Sequence, residues 1–285
     1  MDVAVGIVAQ RNNERAQDLA ATLADTLECE GEHEQATVSV VVDELTGDVI
    51  DVPAVPVASM ATRDLVVSIG GDGTLLFVAR EVGSTPILGV NLGEVGFLNA
   101  VAPDDARAVA TDLVTTLRET GSLKGRERLR LEATSDDDWT LEPALNEIVV
   151  HGPRRGHGGG ATIEVRINGE CYAESHADGV LVATSAGSTA YNLSEGGPLV
   201  HPATNALVVT QMAAADSMPP LVVDPDTELT ISVSGADTAS VISDGRNRQR
   251  LEPPATVTVS LAAEPIRLVG PRGNFAASLD KLDTR

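Results

Sequence analysis

The rhythm of apolar and polar positions changes once along this chain. Val3–Ala9 is a short apolar run, and Glu14–Glu28 repeats Ala and Leu at helical spacing. Thr37–Val42, Asp64–Ile69 and Thr85–Val90 are further apolar runs, with helical sequence resuming over Thr74–Val82. Strands separated by helices predict parallel pairing with both sheet faces covered. Another helix is expected over Asp104–Thr120, after Pro103. Beyond it, Leu129–Ala133, Ala144–Val150, Thr162–Ile167, Gly179–Ala183, Glu228–Val233, Val241–Ser243 and Thr256–Leu261 are short and β-branched, separated by Gly, Pro, Asp or Asn. That is the pattern of a β-rich domain. The reading is an α/β domain over 1–100 followed by a β-rich domain over 101–267, with no internal repeat. Asp136-Asp137-Asp138 reads as a solvated hairpin tip, not a metal site.

Composition narrows the partners. The 285 residues suffice for two modest domains, and aromatics at 2% are too few to build stacking platforms for single-stranded nucleic acid. The net charge is −22, and Lys124 and Lys281 are the only lysines among 20 basic residues. Such a field repels nucleic acid and anionic membrane surfaces. It would also repel nucleotides, except that at molar ionic strength the Debye length is about 3 Å. An acidic, lysine-poor surface resembles that of proteins from salt-accumulating cells such as halophilic archaea; the alternative is a merely acidic mesophile protein. Cys29 and Cys171 lie far apart and read as two inert buried thiols. The N-terminus has no positive region before its apolar run, and Gly197–Ala215 is too polar to span a membrane, so a cytoplasmic protein is expected.

The chemistry concentrates in three segments. Asp64–Ile69 runs directly into Gly70-Gly71-Asp72-Gly73-Thr74 and then into helical sequence. Glycines let backbone approach a ligand closely, and a helix start offers N–H groups to phosphate. A carboxylate after a parallel strand sits where ligands of open α/β sheets bind. The second segment is Asn146-Glu147 before an apolar strand, an amide beside a carboxylate that can grip ribose hydroxyls and an adenine edge. The third is Ala177–Ser194 with Glu195-Gly196-Gly197-Pro198, a strand ending in a Ser/Gly turn. There Ser188 or Thr189 can cap a short helix carrying Tyr191.

The glycine turn resembles a signature shared by NAD kinases, diacylglycerol and sphingosine-type lipid kinases, and phosphofructokinases. The three segments together, in this order, resemble the NAD kinase family. The likeness extends to Asn91–Leu98, Asp244-Gly245 and Leu279-Asp280-Lys281-Leu282. It implies an α/β N-terminal domain with a Rossmann-like, phosphofructokinase-like parallel sheet, a β-rich C-terminal domain, and a tail over 268–285 returning to the first. It further implies a homodimer or homotetramer that phosphorylates the 2′-hydroxyl of the adenosine ribose of NAD. The donor would be ATP, another nucleoside triphosphate or polyphosphate, with a divalent cation such as Mg²⁺. By the same resemblance Asp72 is the catalytic acid-base residue, and Gly70, Gly71, Gly73 and Thr74 face the donor phosphates. NAD contacts fall to Asp72, Gly73, Asn146, Glu147, Asp178 and the run Thr189, Ala190, Tyr191, Asn192, Leu193, Ser194. Ala186 and Ala213 join through backbone or apolar contact, and His157 and His176 by position. An ordinary carboxylate is a feeble base toward a sugar hydroxyl, and a loose phosphoryl-transfer transition state needs orientation more than deprotonation.

The chain departs from the family where many members carry Pro-x-x-Pro-His-Ser-Leu, reading Thr210–Ser217 instead, and where Gln often follows Asp-Gly, here Arg246. Arg154–Gly160, basic and glycine-rich, is either a clamp on a pyrophosphate or a solvated hairpin loop. His151, His176 and His201 show no metal spacing. The alternatives are a lipid or sugar kinase sharing the Asp72 turn, or a module that senses NAD(P) without turnover.

Overall fold

The computed structural model describes residues 1–32, 37–93, 96–135, 137, 139–154 and 159–279. In chain order the elements are β1 (Val3–Ala9), α1 (Glu14–Glu32), β2 (Val38–Asp43), α2 (Glu44–Gly47), β3 (Ala54–Val55), β4 (Leu65–Gly70), α3 (Asp72–Val82), β5 (Pro86–Asn91), α4 (Ala106–Thr120) and β6 (Arg126–Arg128). There follow β7 (Leu131–Thr134), β8 (Glu147–His151), β9 (Ala161–Ile167), β10 (Glu170–Ala177), β11 (Gly179–Thr184), α5 (Tyr191–Ser194), β12 (Leu207–Met212) and β13 (Leu221–Val223). The last are β14 (Leu229–Ser234), β15 (Ala239–Ser243), β16 (Asn247–Leu251), β17 (Ala255–Leu261), β18 (Ile266–Val269) and α6 (Phe275–Leu279). They form two compact units, residues 1–128 with 265–285, and residues 129–264.

The first unit is α/β. Its sheet runs β3-β2-β1-β4-β5-β18-β6, parallel throughout except where β6 pairs antiparallel with β18. Ala16, Ala20, Leu23 and Leu27 form one stripe of α1 and bury against Val5, Ile7, Val40 and Val67. α4 covers the same face with Ala110, Val114 and Leu117. That packing moves the division of the chain from the expected residue 100 to 128, because the apolar stripe of α4 is buried on the first sheet. The return of the chain begins at 265, and β18 inserts between β5 and β6. β2 and β4 lie on opposite sides of β1, so strand order reverses beside β1, and the crevice at such a reversal is where α/β sheets bind ligands.

The second unit is β-rich, with sheets ordered β10-β9-β14-β17-β7 and β13-β12-β11-β8-β15-β16. Ile148, Val150, Val180 and Val182 of one sheet share a core with Ile163, Val165, Ile231 and Val257 of the other. Val149, Leu181, Val208 and Met212 line the opposite face of the six-stranded sheet and hold Tyr191 there. Both faces of β8 and β11 are therefore covered, which is why these strands read as unbroken apolar runs. The cysteines correct the expectation of burial: both are free and exposed, Cys29 at the end of α1 and Cys171 on the edge strand β10. Among the described residues no helix is long and apolar enough to cross a membrane.

Candidate functional site

On the first unit the glycine turn links β4 to α3 beside the strand-order reversal. A β-carbon at Gly70 would lie 2.5 Å from Thr74 Oγ1, so the turn closes only with glycine there. At Gly71 and Gly73 a β-carbon would meet nothing within 4 Å, so these two glycines leave open space above the backbone. Gly71 caps α3 without a side-chain hydrogen bond, while its carbonyl accepts from Thr74 N–H at 3.0 Å.

Asp72 is committed to its own unit. Its Oδ2 accepts from Phe97 N–H at 3.0 Å, and its Oδ1 accepts from Leu98 and Asn99 N–H at 3.3 Å each. A β-carbon on Gly96 would collide with this carboxylate. Asn99, 1% exposed, returns the tie by donating Nδ2–H to Gly70 carbonyl at 3.3 Å. Asp72 therefore orients the 96–99 loop against the glycine turn. Neither Asn99 nor this loop contact is marked by spacing in the sequence; 27 residues separate the partners.

On the second unit Asn146 precedes β8 and Glu147 opens it, and Asp244 holds both. The Asp244 carboxylate accepts from Leu145, Asn146 and Glu147 N–H at 2.8, 2.8 and 3.1 Å, from a residue at φ 44°. Such a positive φ on a non-glycine residue is strained, and three charge-assisted hydrogen bonds offset it. Thr184 ties the far side, donating Oγ1–H to Leu145 carbonyl at 2.6 Å and accepting from Gly187 N–H at 3.1 Å. The Glu147 carboxyl is pushed up to about 8, by burial first and then by the Asp244 charge, against the N–H of Tyr191, which favours ionisation. Glu147 Oε2 and Asn146 Oδ1 are buried with no hydrogen-bond partner. Buried acceptors of that kind are costly unless a further donor arrives.

The hydroxyl-rich turn behaves differently from its sequence reading. The cap of α5 is Ala190, with no side-chain hydrogen bond, and neither Ser188 nor Thr189 caps it. Ser188 Oγ instead donates to Ser185 or Val200 carbonyl at 2.9 and 3.0 Å and accepts from Val200 N–H, while Thr189 Oγ1 turns back to Ala186. Asn192 is fully buried and satisfied by Ser188, Pro198 and Thr210. These side chains pin the turn. Thr189, Ala190, Tyr191 and Leu193 remain half-buried, Ser194 exposed and Ala186 buried. Ala213 sits exposed at φ 47° after β12. Asp178 joins β10 to β11, its N–H donating to Met212 carbonyl. His176 donates from Nε2 to Gly159 carbonyl at 3.0 Å, bracing the end of the 154–160 loop. His157 lies outside the described residues, as do Glu94, Val95, Asp136, Asp138, Arg155, Asp280, Lys281 and Leu282.

Comparison with known proteins agrees across both units. The ATP-NAD kinase N-terminal domain matches residues 5–117 and the ATP-NAD kinase C-terminal domain residues 145–270. The NAD kinase of Haloarcula marismortui is 53% identical over 287 residues, covering 98% of this chain and 99% of its own. That of Halorubrum lacusprofundi is 51% identical over 280 residues, with the same coverage. Yeast NADH kinase complexed with NADH shares the fold at TM-score 0.84 and 24% identity, over 99% of this chain and 88% of its own. An NAD kinase from Archaeoglobus fulgidus in complex with ATP does so at 0.73 and 21%, over 99% of each chain. The match to the C-terminal model covers the second unit, which the glycine turn alone does not reach. With both domain models matched in order and whole-length relatives above half identity, the chain belongs to the NAD kinase family.

Proposed function

We propose that this chain transfers a phosphoryl group from ATP, another nucleoside triphosphate or polyphosphate to the 2′-hydroxyl of the adenosine ribose of NAD, making NADP. The observation that carries the reading is whole-length identity of 53% to a named NAD kinase with both domain models in place. The solved relatives complexed with NADH and with ATP support the two substrate classes.

Within that reading, Asn146 Oδ1 and Glu147 Oε2 are acceptors waiting for donors, which ribose hydroxyls and an adenine amine supply. Near neutral pH Glu147 keeps its proton and can also donate to a ribose oxygen. Thr189–Ser194, Asp178, Ala186, Ala213 and His176 would shape the remainder of the NAD site, with Asn192 acting by holding the turn. Asp72, tied to three amides, acts chiefly by orientation, and Gly71 and Gly73 leave room for phosphate against the backbone of the turn. Positioning and charge neutralisation together supply most of the rate in a loose phosphoryl transfer.

Among the described residues no group of three or more His, Cys, Asp or Glu forms a metal cage. A Mg²⁺ ion carried on the donor phosphates would need only one or two carboxylates of the protein beside phosphate oxygens. Such an ion would neutralise charge on the transferred group. A cytoplasmic location and a homodimeric or homotetrameric assembly complete the proposal. Incubating the protein with NAD, MgCl₂ and ATP or polyphosphate in molar KCl tests it; absence of NADP with every donor defeats it.

A further inference from the structure

Arg126, Arg128 and Arg272 lie near one another in the first unit, and among the described residues no carboxylate pairs with them. Arg126 and Arg128 stand two apart on β6, so both side chains leave the same face of this edge strand, opposite Leu268 and Ile266. Arg126 donates from Nη1 to Gly270 carbonyl at 2.8 Å, which draws its guanidinium to the segment carrying Arg272. Arg128 donates from Nη1 to Glu127 carbonyl at 3.2 Å, while its Nε is buried without a partner. Among the described residues none of the three arginines forms an ion pair.

This is a costly arrangement in a chain with 42 acidic residues, where a carboxylate partner would be easy to supply. Burial, and then repulsion from neighbouring guanidinium groups, lowers the proton affinity of both Arg126 and Arg128. An anion arriving from outside would relieve both costs. Planar guanidinium groups suit phosphate oxygens in paired hydrogen bonds, which ammonium groups do not offer.

Placement narrows the anion. β6 runs antiparallel to β18, so β6 begins and β18 finishes on the side of the sheet where β4 and β5 also end. The glycine turn opens on that side. β6 lies three strands from β4, roughly 14 Å across the sheet at normal strand spacing. We propose that Arg126, Arg128 and Arg272 form an anion site for the phosphoanhydride chain of the phosphoryl donor, holding phosphates remote from the one transferred at the glycine turn. The donor role rests on the phosphotransfer reading above; the anion site itself does not.

Titration calorimetry with inorganic tripolyphosphate, at fixed KCl and without NAD, tests the site independently of turnover. The Arg126→Gln, Arg272→Gln double variant is expected to weaken tripolyphosphate binding about tenfold or more. Arg126→Lys, which keeps the charge, is expected to retain more of it. Arg272 is exposed, so Arg272→Gln alone serves as the variant whose folding is not in question. ATP is expected to weaken in step, because the cluster reads phosphate and not base. In steady state the KM for the donor rises while the KM for NAD stays put. Unchanged tripolyphosphate affinity in the double variant overturns the site, as does a wild-type protein that shows no saturable binding because chloride suffices. A parallel rise in the KM for NAD also contradicts it. A wild type that binds tripolyphosphate yet makes no NADP would sink the kinase reading and leave the anion site standing.

Discussion

Replacing Glu147 by Gln should change how stability depends on pH. The carboxyl is ordinarily near 4.5 and in the folded chain is pushed up to about 8, chiefly by burial and then by Asp244. Below about pH 4.5 the group is protonated in both folded and unfolded chains. Above that the unfolded chain releases the proton while the folded chain keeps it, so stability falls with rising pH. The loss is complete only above about pH 8, where the folded group ionises as well. At about 1.4 kcal/mol per unit, a shift of this size is worth at most roughly 5 kcal/mol. Glu147→Gln is a neutral isostere of the protonated form, so near pH 5 it should be almost silent. By pH 9 it should stabilise by a few kcal/mol, or several degrees in Tm. The carboxyl is buried, so molar KCl leaves the effect largely intact. Denaturant titrations of both proteins from pH 5 to 9 at one KCl concentration measure it. Parallel pH curves for wild type and variant would refute the reasoning. Asp244→Asn provides the internal control: it removes the like charge, so the pH at which Glu147 ionises should move down.

Other outcomes follow from the same contacts. Asp72→Asn weakens the acceptance from the Phe97–Asn99 amides that orients the loop and should cost about 10²-fold in kcat while NAD binding stays measurable; near-normal turnover contradicts the role given to Asp72. Asn99→Ala removes the bond to Gly70 and should cost about 1 kcal/mol in stability and lower kcat more than it changes the KM for NAD, which steady-state kinetics will resolve. A melting curve against KCl should rise toward molar salt, as fits a chain of net charge −22 with relatives in halophilic archaea; greatest stability at low salt would contradict it.

How much of this was legible in the sequence depends on the range of the interaction. The strand–glycine turn–helix of Leu65–Val82 is local and was readable from apolar rhythm and glycine spacing. The helix of α4 was readable too, but not the surface it covers, because an amphipathic stripe does not name its partner; hence the misplaced division at residue 100. β6, with the sequence Arg-Glu-Arg, has no apolar alternation, and its strand character comes from pairing with β18 more than 130 residues away. Apolar β12 lies within Gly197–Ala215, whose prolines and polar residues obscure its strand rhythm, and its end overlaps Thr210–Ser217, where the chain departs from the family pattern. Ser188 carries the residue type of a helix cap, yet bonds to Ser185 and Val200 prevail over capping. Asp244 was noted only as a family likeness, since its hold on Leu145–Glu147 spans nearly 100 residues. Cys29 and Cys171 were read as buried from residue type alone, whereas one ends a helix and the other lies on an edge strand.

The most direct measurement is product analysis after incubation with NAD, MgCl₂ and either ATP or polyphosphate in molar KCl. NADP phosphorylated at the 2′-position of the adenosine ribose is the predicted product. No phosphorylated dinucleotide with any donor, or phosphate on a different hydroxyl, would contradict the account.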